Sequence, residues 1–307
     1  MNRISILLST YNGGKYLKEQ LDSILSQSFN DFKVLVRDDG STDNTVAILK
    51  EYEKMYPTKI KLIKDDGGNL RSTRSFMRLL ENSDSEYVMF CDQDDVWLPE
   101  KVERTLKKII EMKQEFGDIP LLVHTDLVVV DENLSIINNS FFNFQKIDPY
   151  KDSFKNLLMQ NVITGCTVMI NKKLVQKCLP ISDGVIIHDW WAGLVASKFG
   201  RIGYLSQATI QYRQHVDNVV GAKGFTIRAV FRKIYVLFTS DIIKQYQKQA
   251  NAFLKQFRDE LDDETIKMLE DFTALEQKSW WQKRTILLKY KLLKQGLIRN
   301  TGLFLKI

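Results

Sequence analysis

The sequence predicts an α/β fold, a mostly parallel sheet flanked by helices, with a helical C-terminal extension. Three observations predict it. Short β-branched or apolar runs alternate with stretches of helical periodicity through the first half of the chain. Each of those runs ends at a polar or glycine cluster. From about Lys223 onward the periodicity is helical, with no strand signal. In open parallel sheets ligands sit at the carboxyl ends of the strands, so the polar clusters are where chemistry is sought.

Ile4–Leu8, Phe32–Val36, Lys59–Ile63 and Tyr87–Cys91 read as the first four strands. Between the first two, Leu17, Leu21, Ile24 and Leu25 fall on one helix face. Val46, Leu49 and Tyr52 do the same after Ser41-Thr42-Asp43, a cluster of N-cap candidates. Leu98-Pro99-Glu100 opens a further helix, with proline near its first turn. Past residue 120 the alternation loosens. Leu121–Val130 and Cys166–Ile170 read as strands, Trp190–Phe199 as a helix and Ala208–Arg213 as the last strand. The division expected is residues 1–222 as one domain and 223–307 as a basic helical region.

Composition narrows the class. With 307 residues, 44% hydrophobic and 27% charged, the chain is neither disordered nor fibrous. No window of about 18 uninterrupted apolar residues is present, so no spanning helix is expected. Ile4–Leu8 is too short for a signal-peptide core. Three cysteines without CxxC spacing imply reduced thiols and a cytoplasmic protein. The net charge of +6 is unevenly placed: residues 223–307 hold 17 Lys/Arg against 9 Asp/Glu, and residues 1–222 hold 27 against 29. A basic tail on a near-neutral body calls for an anionic partner.

Five clusters carry the candidate chemistry. Ser9-Thr10-Tyr11-Asn12-Gly13-Gly14 offers small polar groups, a ring and two glycines to a nucleotide. It matches neither GxGxxG nor GxxxxGK[ST], which disfavours a Rossmann dinucleotide fold and a P-loop. In Arg37-Asp38-Asp39-Gly40-Ser41-Thr42-Asp43, one of Asp38 and Asp43 is expected to cap the next helix, and Asp39 to bind a nucleoside. Asp92-Gln93-Asp94-Asp95 follows an apolar strand directly. Three carboxylates in four residues repel one another, and Mg²⁺ or Mn²⁺ carrying a diphosphate would offset that cost. In His188-Asp189-Trp190-Trp191, one carboxylate beside two indoles has the dry surroundings of a general base. The last cluster, Tyr212-Arg213-Gln214-His215 with Asn218 beyond it, offers His215 as a metal ligand or a core residue. Each cluster has a plainer alternative as a loop, a cap or core packing.

Taken together, Ser9-Thr10-Tyr11-Asn12, Asp38-Asp39-Gly40-Ser41, Asp92-Gln93-Asp94-Asp95 and His188-Asp189-Trp190-Trp191 resemble the family 2 inverting glycosyltransferases of the GT-A fold. Thr164-Gly165-Cys166-Thr167 and Tyr212-Arg213-Gln214-His215 narrow the resemblance to the bacterial rhamnosyltransferase-like branch, which builds cell-wall and capsular polysaccharide from dTDP-L-rhamnose. It implies that Thr10, Tyr11, Asn12 and Asp39 hold the nucleoside. It implies that Asp92 and Asp94 form the DxD motif and share a Mn²⁺ or Mg²⁺ with His215. Gly165, Trp190 and Trp191 fall on the acceptor side, and Asp189 is the base. One departure stands out: Arg71 occupies a place where relatives often keep glycine, and Arg74, a turn later, matches the family's cation.

The mechanism implied is a single in-line displacement: Asp189 takes the acceptor proton while the metal neutralises the leaving diphosphate. The rivals are the same fold with UDP-glucose, UDP-galactose or an N-acetylhexosamine donor, a DxDxV phosphohydrolase, and a non-catalytic nucleotide-binding protein docked on a membrane. From Lys278 to Ile307 there are eight Lys/Arg and no Asp or Glu, interleaved with Trp280, Trp281 and a leucine stripe. That pattern suits a helix on the inner face of an anionic membrane, next to a polyprenyl-linked saccharide acceptor. Packing on the body or a homodimer is the other use of the stripe, and no nucleic-acid motif accompanies the charge.

Overall fold

The computed structural model describes residues 3–65, 67–215 and 242–307. The chain opens with four strands, β1 (Ile4–Thr10), β2 (Phe32–Asp38), β3 (Ile60–Leu62) and β4 (Tyr87–Cys91). They pair in parallel in the order β3-β2-β1-β4. The crossovers are α1 (Leu17–Leu25), α2 (Thr45–Met55) and α3 (Arg71–Glu81). β1 and β2 each run two residues past the expected end, and their register pairs Thr10 with Asp38. Both polar residues therefore stand on the last rung of the sheet.

The second half adds β5 (Val96–Trp97), α4 (Lys101–Phe116), β6 (Leu121–Val130), β7 (Ile136–Asn138), α5 (Phe141–Gln145) and α6 (Phe154–Met159). It continues with β8 (Met169–Asn171), α7 (Lys172–Cys178), α8 (His188–Phe199) and β9 (Arg201–Arg213). β8 joins β4 and β6 antiparallel, β9 lies parallel to β6, and β5 closes against β9. The strand expected at Cys166–Ile170 is a 3₁₀ turn over Gly165–Thr167 followed by β8. Thr167 causes the turn: its N–H and its hydroxyl both donate to the Thr164 carbonyl, at 2.9 and 2.7 Å, in place of a ladder bond. β9 starts well before Ala208 because Ser206 and Gln207, exposed and polar, conceal a strand that backbone pairing to β6 sustains.

Among the described residues four helices follow, α9 (Ile242–Phe257), α10 (Asp263–Thr273), α11 (Trp280–Tyr290) and α12 (Leu297–Lys306). The expected boundary between 222 and 223 lies outside the described residues, as does Asn218. The sheet separates two apolar layers. One holds Leu17, Leu21, Ile48, Leu49, Val102 and Ile109 from α1, α2 and α4. The other packs α3, α6, α7 and α8 together with α9 to α12 in one continuous core. α8 is apolar all round and buried through most of its length, as such a helix must be. No described helix is long and apolar enough to cross a membrane.

Candidate active site

The carboxyl ends of β1, β2 and β4 bring the first three clusters together. Thr10 donates its hydroxyl to Asp38 at 2.9 Å, and Asp38 also accepts from the Gly40 and Ser41 amides. Asp43 anchors the start of α2, accepting the Thr45 amide at 2.9 Å, and reaches back to the Gly14 amide at 3.0 Å. Burial pushes the Asp43 carboxyl up, but these donors win and hold it below the usual carboxylate range. Asp43 is thus the helix anchor of the pair. Asn12 sits at φ +48°, donates its amide to Ser41 and accepts from the Thr42 amide through its side chain. The Tyr11 ring is exposed and available for stacking.

Asp39 is buried and heavily used. It accepts from the Arg37 guanidinium and from the Leu70 and Arg71 amides at 2.7 and 2.8 Å. A carboxylate has about four acceptor positions, so one remains for a nucleoside N–H or hydroxyl. Arg37, itself fully buried, also binds Asp65, Ser75 and the Gly68 carbonyl. Its guanidinium holds the Asp65 carboxyl below its ordinary value. Arg37 and Asp39 together fold the 65–71 segment over the strand ends. Arg71 stands there at φ +62°, a conformation that glycine adopts without cost. Arg74 pairs with Asp183 at 2.7 Å, both exposed, at the rim of a 190 Å³ cavity lined by Leu70, Arg71, Thr73 and Val185.

The acidic cluster is locked from two sides. Gln93 accepts the Tyr11 amide at 2.8 Å and donates to the Tyr11 carbonyl at 3.0 Å, clamping the first loop to the third. A Cβ on Gly13 would lie 2.2 Å from the Gln93 carbonyl oxygen, so a larger residue there would push the Gln93 side chain out of this clamp. On the other side β5 pairs with β9, and Asp95 accepts the Arg213 amide at 3.1 Å. The Arg213 guanidinium then donates to the Asp94 carbonyl at 2.9 Å. This end of β9 delivers His215, whose Nε2 lies 2.8 Å from Asp94 Oδ2. Two residues 121 apart in sequence are therefore neighbours. Asp92 oxygen, Asp95 oxygen and Cys166 Sγ also lie within 4.8 Å of one another.

These groups fit a divalent cation. Burial, then the charges of Asp94 and Asp189, raise Asp92 to about 7. One oxygen of Asp95 is sealed from water with no partner, and burial followed by the neighbouring carboxylates pushes its carboxyl up. A cation at Asp92, Asp94 and His215 would relieve the repulsion, and the oxygen-rich set suits Mg²⁺ or Mn²⁺.

Asp189 opens α8, accepting the Trp190 amide at 2.6 Å. Burial raises it to about 7, against the backbone donors of Trp190 and Gly165. A Cβ on Gly165 would sit 3.4 Å from Asp189 Oδ2 and 3.2 Å from His188 Nε2, so glycine keeps that side of the carboxylate clear. The two tryptophans, expected on the acceptor side, are both buried among packed side chains. Trp191 is 0% exposed and donates to the Cys178 carbonyl, and its ring packs on Phe253 and Phe257. Trp190 is buried, with its N–H on the Leu157 carbonyl and its ring against Tyr246. Both indoles tie α8 to α6, α7 and α9, which is core work. Sequence reasoning gave Arg37, Gln93 and Arg213 no role, because Asp65, Tyr11 and Asp94, which they bind, lie 28, 82 and 119 residues away.

The sequence pattern of glycosyl transferase family 2 matches residues 5–174, more than half of the chain. The dTDP-rhamnosyl transferase RfbG of Shigella flexneri is 26% identical over 259 residues, 80% of this chain and 84% of that protein. The minor teichoic acid biosynthesis protein GgaB of Bacillus subtilis is 25% identical over 262 residues, 82% of this chain but 28% of its own length. In structure, residues 1–349 of S. aureus TarS in complex with UDP-GlcNAc superpose with a TM-score of 0.51 and 18% identity, covering 94% of this chain and 80% of that one. The Pyrobaculum calidifontis mannosyltransferase PcManGT, in complex with GDP-Man and Mn²⁺, gives 0.51 and 16%, covering 99% and 79%. The phosphohydrolase and non-catalytic readings fall with these matches. The strand-end clusters, the mixed sheet and the match over residues 5–174 agree: the chain belongs to glycosyl transferase family 2, a glycosyltransferase of the GT-A fold.

Proposed function

We propose that the protein transfers L-rhamnose from dTDP-L-rhamnose to a saccharide acceptor on a polyprenyl carrier, with inversion, in bacterial cell-wall or capsular polysaccharide synthesis. The observation that carries the transferase chemistry is the 2.8 Å contact of His215 with Asp94, two residues along from Asp92, with Asp94 and Asp189 close enough for their charges to raise Asp92. Thr10, Tyr11, Asn12 and Asp39 would hold the nucleoside, and Arg74 the sugar or phosphate side. A Mn²⁺ or Mg²⁺ on Asp92, Asp94 and His215 would neutralise the diphosphate as it leaves. Asp189 would accept the proton of the acceptor hydroxyl, entering past Gly165, with the oxygen attacking the anomeric carbon opposite the diphosphate. One displacement inverts that centre. The sugar is the part supported only by the likeness to RfbG.

A catalytic part of residues 1–222 and a helical part of 223–307 suit an enzyme working peripherally at the inner face of the cell membrane. Arg71, held at φ +62° in a conformation that glycine adopts without cost, favours a second reading, in which the fold and base are kept and the donor is UDP-glucose, UDP-galactose or an N-acetylhexosamine nucleotide. Calorimetric titration with Mn²⁺ and each donor in turn decides between them. Tightest binding of dTDP-rhamnose supports the first reading, and preference for a UDP-sugar the second.

A further inference from the structure

The C-terminal helices do not carry the single apolar stripe that their sequence suggests. Leu287, Tyr290, Leu292 and Leu303 turn inward and join the core. A second apolar set turns outward: Trp280, Trp281, Leu288, Leu297, Ile298 and Leu305 are all exposed, Trp281 at 75% and Leu297 at 84%. α11 is thus apolar on both sides, although packing on the body needs only one. Arg284 holds the outward set together. Its guanidinium lies 3.6 Å from the Trp280 ring centroid, donates to the Trp280 carbonyl and reaches the Phe304 carbonyl of α12. The start of α12 is fixed in turn. Arg299 donates to the Lys146 and Gln145 carbonyls, and the Gln295 amide donates to the Gln160 side chain at 2.9 Å. Gln160 lies just before Gly165, the glycine beside Asp189.

Charge names the occupant. Lys278 to Ile307 holds eight Lys/Arg and no carboxylate side chain. A second copy of this chain would set like charges against like, whereas an anionic bilayer supplies the missing sign. Tryptophans among lysines suit the lipid headgroup region, where an apolar ring meets water. We propose that α11 and α12 form a docking surface for an anionic lipid bilayer, inserting Trp280, Trp281 and Leu297 at the headgroup level with Lys283 and Lys289 beside them. The surface deepens the proposed function by setting α12, which Gln295 and Arg299 tie to Gln160 and to Gln145 and Lys146, on lipid, and it rests on that function only for the lipid-linked acceptor.

The test is sedimentation of the full-length protein with vesicles of phosphatidylglycerol or of phosphatidylcholine. Full length is needed, since removing these helices would take Leu287, Leu292 and Leu303 out of the core they share with Tyr246, Phe272 and Leu275. The protein should pellet with phosphatidylglycerol at low salt and stay in solution with phosphatidylcholine. Lys283→Gln with Lys289→Gln should weaken binding about 25-fold, at about fivefold for each cation removed. Trp281→Ser should weaken it about tenfold or more. Donor titration and circular dichroism should not change, because Trp281 and Lys289 are exposed, Lys283 is half-buried, and all three are far in sequence from the donor residues, so a failure of the surface is separable from a failure of the transferase reading. Retention in the supernatant at low salt, or equal pelleting with both lipids, overturns the proposal. So does velocity sedimentation showing a dimer that Trp281→Ser dissociates, because the occupant is then a second copy.

Discussion

Asp189 sits in the first turn of a helix, where backbone amides favour a charged carboxylate, yet burial outweighs them and raises it to about 7. A base must be unprotonated to act, so transfer should rise as pH climbs through about 7 and level off above it. The pH–rate profile with saturating donor checks this. Asp189→Asn keeps the size but cannot accept a proton, and should cost about 10²–10⁴ in rate while leaving calorimetric donor affinity unchanged. Arg71 is a separate case. Its left-handed backbone costs about 1 kcal/mol that glycine would not incur, so Arg71→Gly should leave the melting temperature equal or slightly higher. A shift in donor affinity in the same variant would place its guanidinium at the pocket. The acid clusters were legible in the sequence because carboxylates directly after an apolar strand have few other uses. The engagement of Asp39 was not, since the Leu70 and Arg71 amides arrive from 31 and 32 residues away.

At the scale of elements, the site depends on two locks that no local pattern announces. The reciprocal Gln93–Tyr11 bonds join the loops after β1 and β4. Each such bond contributes about 0.5–1.5 kcal/mol, so Gln93→Ala should lower donor affinity by roughly tenfold with only a small fall in melting temperature. An unchanged donor dissociation constant would mean that the clamp is structural alone. The second lock is β5 on β9, which carries His215 to Asp94. Sequence periodicity located β1 to β4 and β6 because buried parallel strands are continuous apolar runs. It missed the first half of β9 and misread residues 166–168, where exposed polar residues and a threonine-driven turn override the pattern.

Across the whole molecule, one core runs from the sheet through α8 into the C-terminal helices. Trp191 is its hinge point, fully buried between α7, α8 and α9. Trp191→Ala should cost about 3–5 kcal/mol of stability, read as a lower denaturant midpoint. Loss of acceptor affinity with full stability would instead restore the ring to the acceptor side. That coupling was hidden in the sequence, because a Trp-Trp pair beside a candidate base reads equally as a site or as packing, and only the partners Phe253 and Phe257 decide it. The central claim, that the carboxylates at the end of β4 and the start of α8 perform nucleotide-sugar transfer, is tested most directly by release of nucleoside diphosphate. Wild type, Asp94→Ala and Asp189→Asn would be incubated with Mn²⁺ and a panel of dTDP-rhamnose, UDP-glucose, UDP-galactose and their N-acetyl forms. The wild type should release nucleoside diphosphate from one donor, Asp94→Ala should bind and release none, and Asp189→Asn should bind the donor without turnover. Release by Asp94→Ala at the wild-type rate, or none by the wild type from any donor, would contradict the account.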